Sequence, residues 1–449
     1  MSRFSRKPRL LLLPLLCRFC CFCCLLLLQA CHSGGVAVTV PDPVAGRTPL
    51  PRDVVDKQLI VQQYIAVARA SYADAALAAQ VLDQAVNVLL DTPTDATLQA
   101  ARAAWRAARI PYMQTEVFRF GNHNVVDEWE SRVNAWPLDE GLIDYVSPGY
   151  VAPDYGTQAD DNAFYTANVI ANPLLDIGGI SVDASRITPQ FLAETLHQIG
   201  GVAANVATGY HAIEFLLWGQ NLHGARPYTD YSLTACSNGH CERRRDYLRA
   251  ATDLLVDDLE EMVQNWQGGG AAVQDLLSKG EDGALATILT GMGSLAYGEL
   301  AGTGLRLGLL RHDPENAQDG FSNTTHWSHF YDALGIDNVY RGQYRRIDGE
   351  ALSGPSLEML VQSLDPALYV EMRARLESIE LAMRALVEQG EAGNTYAVLI
   401  QGDNAAGAAL INRAVTALME ATQSIEKIID RLALQDVRIE GSSSLPPRS

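Results

Sequence analysis

From Val54 to Leu90, apolar residues recur at three- and four-residue intervals in an alanine-rich stretch that contains no proline. That period matches the α-helix and not the alternation of a strand, and alanine loses no side-chain entropy on entering a helix. One long helix is predicted, and its apolar stripe must be buried against other helices. Thr94 and Asp95 offer a cap ahead of a second helical stretch, Leu98 to Phe120, which Pro111 should bend. Thr188, with Pro189 in the first turn, opens a third that should run to about Trp218. The second half continues with helices near Arg243–Trp266, Ala284–Leu310, Ser356–Gln389 and Ala405–Leu434. Strand-like alternation is scarce, so the expected fold class is all-α. The simplest arrangement is two packed helical bundles over residues 53–242 and 243–434, with long loops. A faint echo of Thr115–Gly121 in the Gly298–Gly308 region suggests a pseudo-twofold duplication. Gly298, Gly302, Gly304 and Gly308 are costly inside a helix, and close backbone approach to a neighbouring helix or ligand is the expected compensation.

Before the helices, Arg3, Arg6, Lys7 and Arg9 precede an apolar run from Leu10 to Leu28, the layout of an export signal over residues 1–30. The run ends in Leu28-Gln29-Ala30-Cys31, which resembles a bacterial lipoprotein cleavage box with Cys31 as the lipidated residue. Residues 31–52 read as a linker and 435–449 as a disordered tail. Six of the eight cysteines lie in or just after the signal. The remaining pair, Cys236 and Cys241, flanks a turn-like Ser-Asn-Gly-His spacer and should close a small disulfide in an oxidising envelope. A soft-metal clip made by this pair with His240 is the alternative, but it is short of ligands. The chain carries 34 basic and 53 acidic residues, a net charge of −19. Its first 30 residues hold five basic and no acidic groups, so the remainder stands at −24. Such a balance argues against nucleic acid as a partner and suits a compartment in which cations are captured.

The segment Gly209-Tyr210-His211-Ala212-Ile213-Glu214 carries the main candidate chemistry. On a helix, His211 and Glu214 share a face, so imidazole and carboxylate can reach one ion. One histidine with carboxylates suits iron or zinc. A buried histidine bonded to its own glutamate is the plainer alternative, yet an ionisable pair among Ile213, Phe215, Leu216, Leu217 and Trp218 is costly without a partner or a metal. The same spacing recurs at His312 and Glu315, where Pro314 makes it a loop. A second cluster, Trp105, Arg109, Tyr112, Glu116 and Arg119, forms one helical stripe and is read as the wall of a polar cleft. Glu116 is the natural additional metal ligand there. Asp139 with Glu140, and Arg226 with Asp230, fall in loop-like segments whose ordinary role is turn and capping chemistry.

Taken together, Arg109 to Phe120, the Trp136-Pro137-Leu138-Asp139-Glu140 loop and Gly209 to Gly219 resemble the imelysin family of bacterial envelope proteins. Arg226 to Tyr231, Gly298-Glu299-Leu300-Ala301-Gly302, Phe321 to His326 and Asn338 to Gly342 extend the likeness over residues 53–433. The resemblance implies two helical bundles, a Gly-x-His-x-x-Glu motif near their interface and a role in iron acquisition. His211, Glu214 and Glu116 are the metal ligands it suggests, with Arg109, Tyr112, Arg119, Asp139 and Glu299 lining the cleft. The chain departs from the family pattern between Pro314 and Thr325 and at Thr303-Gly304, so no ligand is carried over from residues 311–325.

Three functions follow as expectations. The first is a lipid-anchored envelope protein that binds a metal ion, iron ahead of zinc, and serves iron uptake or handling with an envelope transport partner. The second is a metallopeptidase using the same site. Zinc hydrolysis calls for about three protein ligands, an activated water and a base, and no His-Glu-x-x-His sequence is present. The third is a lipoprotein that binds a peptide or partner without metal. Haem has little support, because no Cys-x-x-Cys-His attachment sequence occurs.

Overall fold

A computed structural model describes residues 55–150, 162–220, 225–435 and 437–439. The export signal, Cys31 and the whole of the linker lie outside these residues, as does most of the expected tail.

The fold is all-α, with two small two-stranded hairpins, Leu174–Ile177 with Ile180–Asp183 and Gln343–Arg345 with Ala351–Ser353. Helix α1 spans Lys57–Asp91 and is started by the Asp56 side chain, which accepts from the Gln58 amide. Helix α2, Asp95–Met113, has a reciprocal cap between Thr94 and Thr97 and keeps Pro111 near its C-terminal end. It stops at Met113, and a single tight turn, Glu116–Phe118, carries the chain on. Helix α3 covers Glu128–Asn134, α4 Gly209–Trp218 and α5 Cys241–Asn265. These pack around α1 and α2, so that α5 joins the N-terminal helices. Helix α6, Gly280–Ser294, leads into wide π-helical turns over Leu295–Arg306. Helices α7, Thr325–Arg341, α8, Pro366–Glu391, and α9, Ala405–Leu432, complete a second group with those turns. Both groups touch α1, and α7 also packs on α2. Among the described residues no helix is long and apolar enough to cross a membrane.

Three expectations change. The helix predicted from Thr188 to Trp218 is broken: a short piece ends at Leu196, and α4 starts afresh at Gly209. Between them Gln198, Gly200 and Gly201 take positive φ, which interrupts the helical ladder. The helix predicted over Ser356–Gln389 is divided at Asp365, which caps α8 ahead of Pro366. Helix α7 escapes the periodicity reading because it is buried nearly all round and has no polar face to reveal a 3.6-residue period. Of the glycine series, Gly304 and Gly308 lie where another helix comes close. A side chain at Gly304 would press on His329, and one at Gly308 on Tyr396, whose hydroxyl donates to the Gly304 and Leu305 carbonyls.

Candidate metal centre

Helix α4 is apolar and wholly buried, so its position is fixed from several sides. At its start Gly209 has φ +77°, and a Cβ there would run into the Val133 carbonyl of α3. Only glycine combines that conformation with that approach. Along its length the Trp105 indole donates to the Tyr210 carbonyl at 2.9 Å. At its end Arg102 donates to the Leu217 carbonyl at 3.1 and 2.8 Å and to the Arg226 carbonyl, satisfying groups the helix cannot. Arg226 meets Asp144 at 2.6 Å and Asp230 at 3.1 Å, and Arg244 meets Asp144 at 2.7 Å. The Arg226 and Asp230 pair therefore belongs to a buried ionic network beside α4, a larger role than turn capping.

On α4, His211 Nδ1 lies 3.2 Å from a Glu214 carboxylate oxygen and 3.7 Å from Asp319 Oδ1, and all three side chains are fully buried. Asp319 sits in the loop before α7, more than a hundred residues away in sequence. Its amide donates to the Thr325 hydroxyl at 3.0 Å, its carbonyl accepts from the Thr324 amide, and its carboxylate accepts from the Ser328 hydroxyl. The same loop sends the Ser322 amide to Glu214 at 2.7 Å. Donor atoms of His211, Glu214 and Asp319 lie within 4.8 Å of one another, the only such grouping among the described residues.

Burial, with the nearby Arg109 charge, depresses His211 to about 3, so its ring is neutral and keeps a lone pair for coordination. Burial pushes the Glu214 carboxyl up to about 7. Among the described residues His211 Nε2 has no hydrogen-bond partner, while Asp319 Oδ1 is paired with Arg109. In a neutral imidazole one nitrogen donates and the other accepts, so Nδ1, which faces the two carboxylates, is the nitrogen placed to coordinate, with the proton left on Nε2. Arg109 offsets part of the site's negative charge, 3.0 Å from Asp319 and held by Asn134 at 2.6 Å. Its guanidinium also faces the rings of Trp105, Tyr112 and Tyr210.

Four of the other predicted residues gather in a cavity of about 650 Å³ beside this centre. Glu116 is not among the donors that converge on His211. Its carboxylate accepts from Asn134 at 3.3 Å and pairs with Arg119 at 3.2 Å. Arg119, Asp139 and Glu299 line the cavity with Glu116, whereas Arg109 and Tyr112 lie outside its wall. Asn134 links the two places, bonding Arg109 on one side and Glu116 on the other. Cys236 and Cys241 are joined in a disulfide. Asp319 was missed because it lies in the segment that departs from the family pattern; its one local signal, an acid followed by Gly320 and hydroxyl residues, is that of any tight turn.

An all-helical chain with a buried histidine and two carboxylates, drawn from a helix and a distant loop, is the class of protein so far defined. The chain belongs to the Imelysin family (peptidase M75), whose profile matches residues 68–425. It is 41% identical over 73 residues to iron-regulated protein A of Synechococcus elongatus, a match spanning 16% of this chain and 20% of that relative. In fold it is similar to an iron-regulated protein A precursor from Parabacteroides distasonis, with a TM-score of 0.61 and 17% identity over 86% of this chain and 97% of that one. An imelysin-like protein from Psychrobacter arcticum is also similar, with a TM-score of 0.56 and 16% identity over 86% of this chain and 99% of that one. At these identities the two structures speak to the fold alone.

Proposed function

We propose that this chain is an exported, lipid-anchored protein of the bacterial cell envelope that captures a metal ion, iron ahead of zinc, for uptake or handling. The observation that carries the reading is the meeting of His211, Glu214 and Asp319 in a fully buried pocket, with donor atoms within 4.8 Å of one another. Ligands to zinc or iron stand about 2.0–2.2 Å from the ion, which sets neighbouring donors about 3 Å apart. The 3.2 and 3.7 Å separations need little adjustment to reach that. One imidazole with two carboxylates is a borderline-to-hard set suited to iron. The iron-regulated relative supports the cargo, and the apolar segment ending at Cys31 supports a lipid anchor and delivery to an envelope transport partner.

The family's peptidase label keeps hydrolysis as the second reading. Complete burial of the three side chains favours holding an ion over admitting a polypeptide. With Glu214 and Asp319 both facing the ion, neither is left as an evident general base. Elemental analysis and calorimetric titration with Fe(II) and Zn(II), on wild type and on the His211→Ala/Glu214→Ala variant, test the proposal. Stoichiometric binding lost in the variant is expected. Equal, negligible binding in both would move the weight to a partner-binding lipoprotein with a structural His-Glu pair.

A further inference from the structure

The cavity beside the metal centre has a charge pattern the first site does not use. Five carboxylates, Glu116, Glu130, Asp139, Glu299 and Asp332, line it against the guanidinium groups of Arg119 and Arg311. Arg119 is already shared among Glu116 at 3.2 Å, Glu130 at 3.4 Å, Glu299 at 3.0 Å and Asp127 at 3.4 Å. Arg119 alone is set against these four acids, and burial pushes the Glu116 and Glu130 carboxyls up, Glu130 to about 8, so the wall does not hold its full negative charge without a further cation. Asp332 is 3% exposed, and among the described residues it forms no ion pair and its Oδ1 lacks a hydrogen-bond partner. His329, one helical turn before it on α7, is 1% exposed and has an unpartnered Nδ1. Both line the cavity. Opposite them run the π-helical turns that present Glu299 and Gly304, a backbone form that recurs at functional sites.

We propose that this cavity is a second cation site, in which Asp332, His329, Glu116 and Glu299 hold a hydrated divalent metal ion next to the His211 centre. The donors do not draw together as those of the first centre do, and the space far exceeds a bare ion. An ion there keeps part of its water shell, and the carboxylates act on that shell as hydrogen-bond acceptors as well as ligands. The acidic wall also sets the form in which metal arrives. An aquo-cation is attracted, whereas an anionic chelate such as ferric citrate is repelled. The inference deepens the proposed function and rests on it for the identity of the cargo, not for the existence of the cavity site.

The test is Mn(II) binding to the whole protein, followed by calorimetry and by the loss of the free-ion paramagnetic resonance signal. Two sites are expected in wild type and one in His211→Ala/Glu214→Gln. Adding Asp332→Asn to that variant should weaken the remaining site at least tenfold. Glu299→Gln, at a partly exposed position, should do the same to a lesser degree and serves where Asp332→Asn does not fold, as judged by circular dichroism. A folded His211→Ala/Glu214→Gln protein that binds no Mn(II) overturns the second site and leaves the first intact. A single site in wild type that survives loss of His211 but not of Asp332 upholds this inference and removes the first. Ferric citrate binding that depends on Asp332 overturns the selectivity for a cation.

Discussion

At the scale of single residues the molecule concentrates unusual environments around α4. Asp319 serves Arg109 as well as the candidate ion, so its removal has two effects. Asp319→Leu should destabilise the apo fold by about 3–5 kcal/mol, because the buried Arg109 loses its counter-charge. Arg109→Met in the same chain should restore much of that loss in urea unfolding; if the double variant is less stable than Asp319→Leu, the pairing is not what Asp319 contributes to the fold. Gly209→Ala should cost more than about 2 kcal/mol, since it adds a Cβ both at positive φ and against the Val133 carbonyl. His197, beside Thr208 at the entry to α4, is pushed down to about 4 by burial. The folded protein then refuses a proton that the unfolded chain accepts below about 6.5. This contribution to stability is whole above that pH and is lost as pH falls towards 4. Wild type should therefore lose a few degrees of melting temperature relative to His197→Gln between pH 6.5 and 4, and parallel profiles would contradict it. The motif pair was legible because three-residue spacing on an apolar helix is a local property. Asp319 was not, since its meaning comes only from a chain reversal that brings residue 319 to residue 211.

At the scale of elements, legibility followed amphipathicity. Helices α1 and α9 have a clear apolar stripe and were readable; α7, buried all round, had none to show. The Thr188 start signal was real, with its hydroxyl accepting from the Phe191 amide, but a start signal says nothing about where a helix ends. Three glycines or left-handed residues then stopped it. The stripe from Trp105 to Arg119 is not the continuous helical wall its spacing suggested. It breaks after Met113, so that Arg109 faces the metal centre while Glu116 and Arg119 face the cavity. The Cys236–Cys241 loop belongs to this scale too. It closes just ahead of α5 over a sequence separation of only five residues. A loop that short removes little chain entropy, and replacing both cysteines by serine should cost about 2 kcal/mol with metal uptake unchanged.

At the scale of the whole molecule the question is whether two helical groups behave as one. Helix α1 runs the length of the first group and packs on α2 and α5, and it also touches α6 and α7 of the second. Helix α2 adds its own contacts with α7. The candidate metal centre straddles the same boundary, taking His211 and Glu214 from α4 and Asp319 from the loop that enters α7. Unfolding either group alone would strip α1 of one of its faces and expose an apolar stripe, which is costly. Heat should therefore produce one cooperative transition, with calorimetric and van't Hoff enthalpies equal. On the proposed function an ion at that boundary binds the folded chain and not the unfolded one, and saturation to a hundred times its dissociation constant should add about 2.7 kcal/mol. That gain should raise the single midpoint without splitting it, and it should vanish with chelator and in His211→Ala/Glu214→Ala. Two resolved transitions, only one of them shifted by metal, would mean that α1 belongs energetically to its own group and that the centre does not couple the halves.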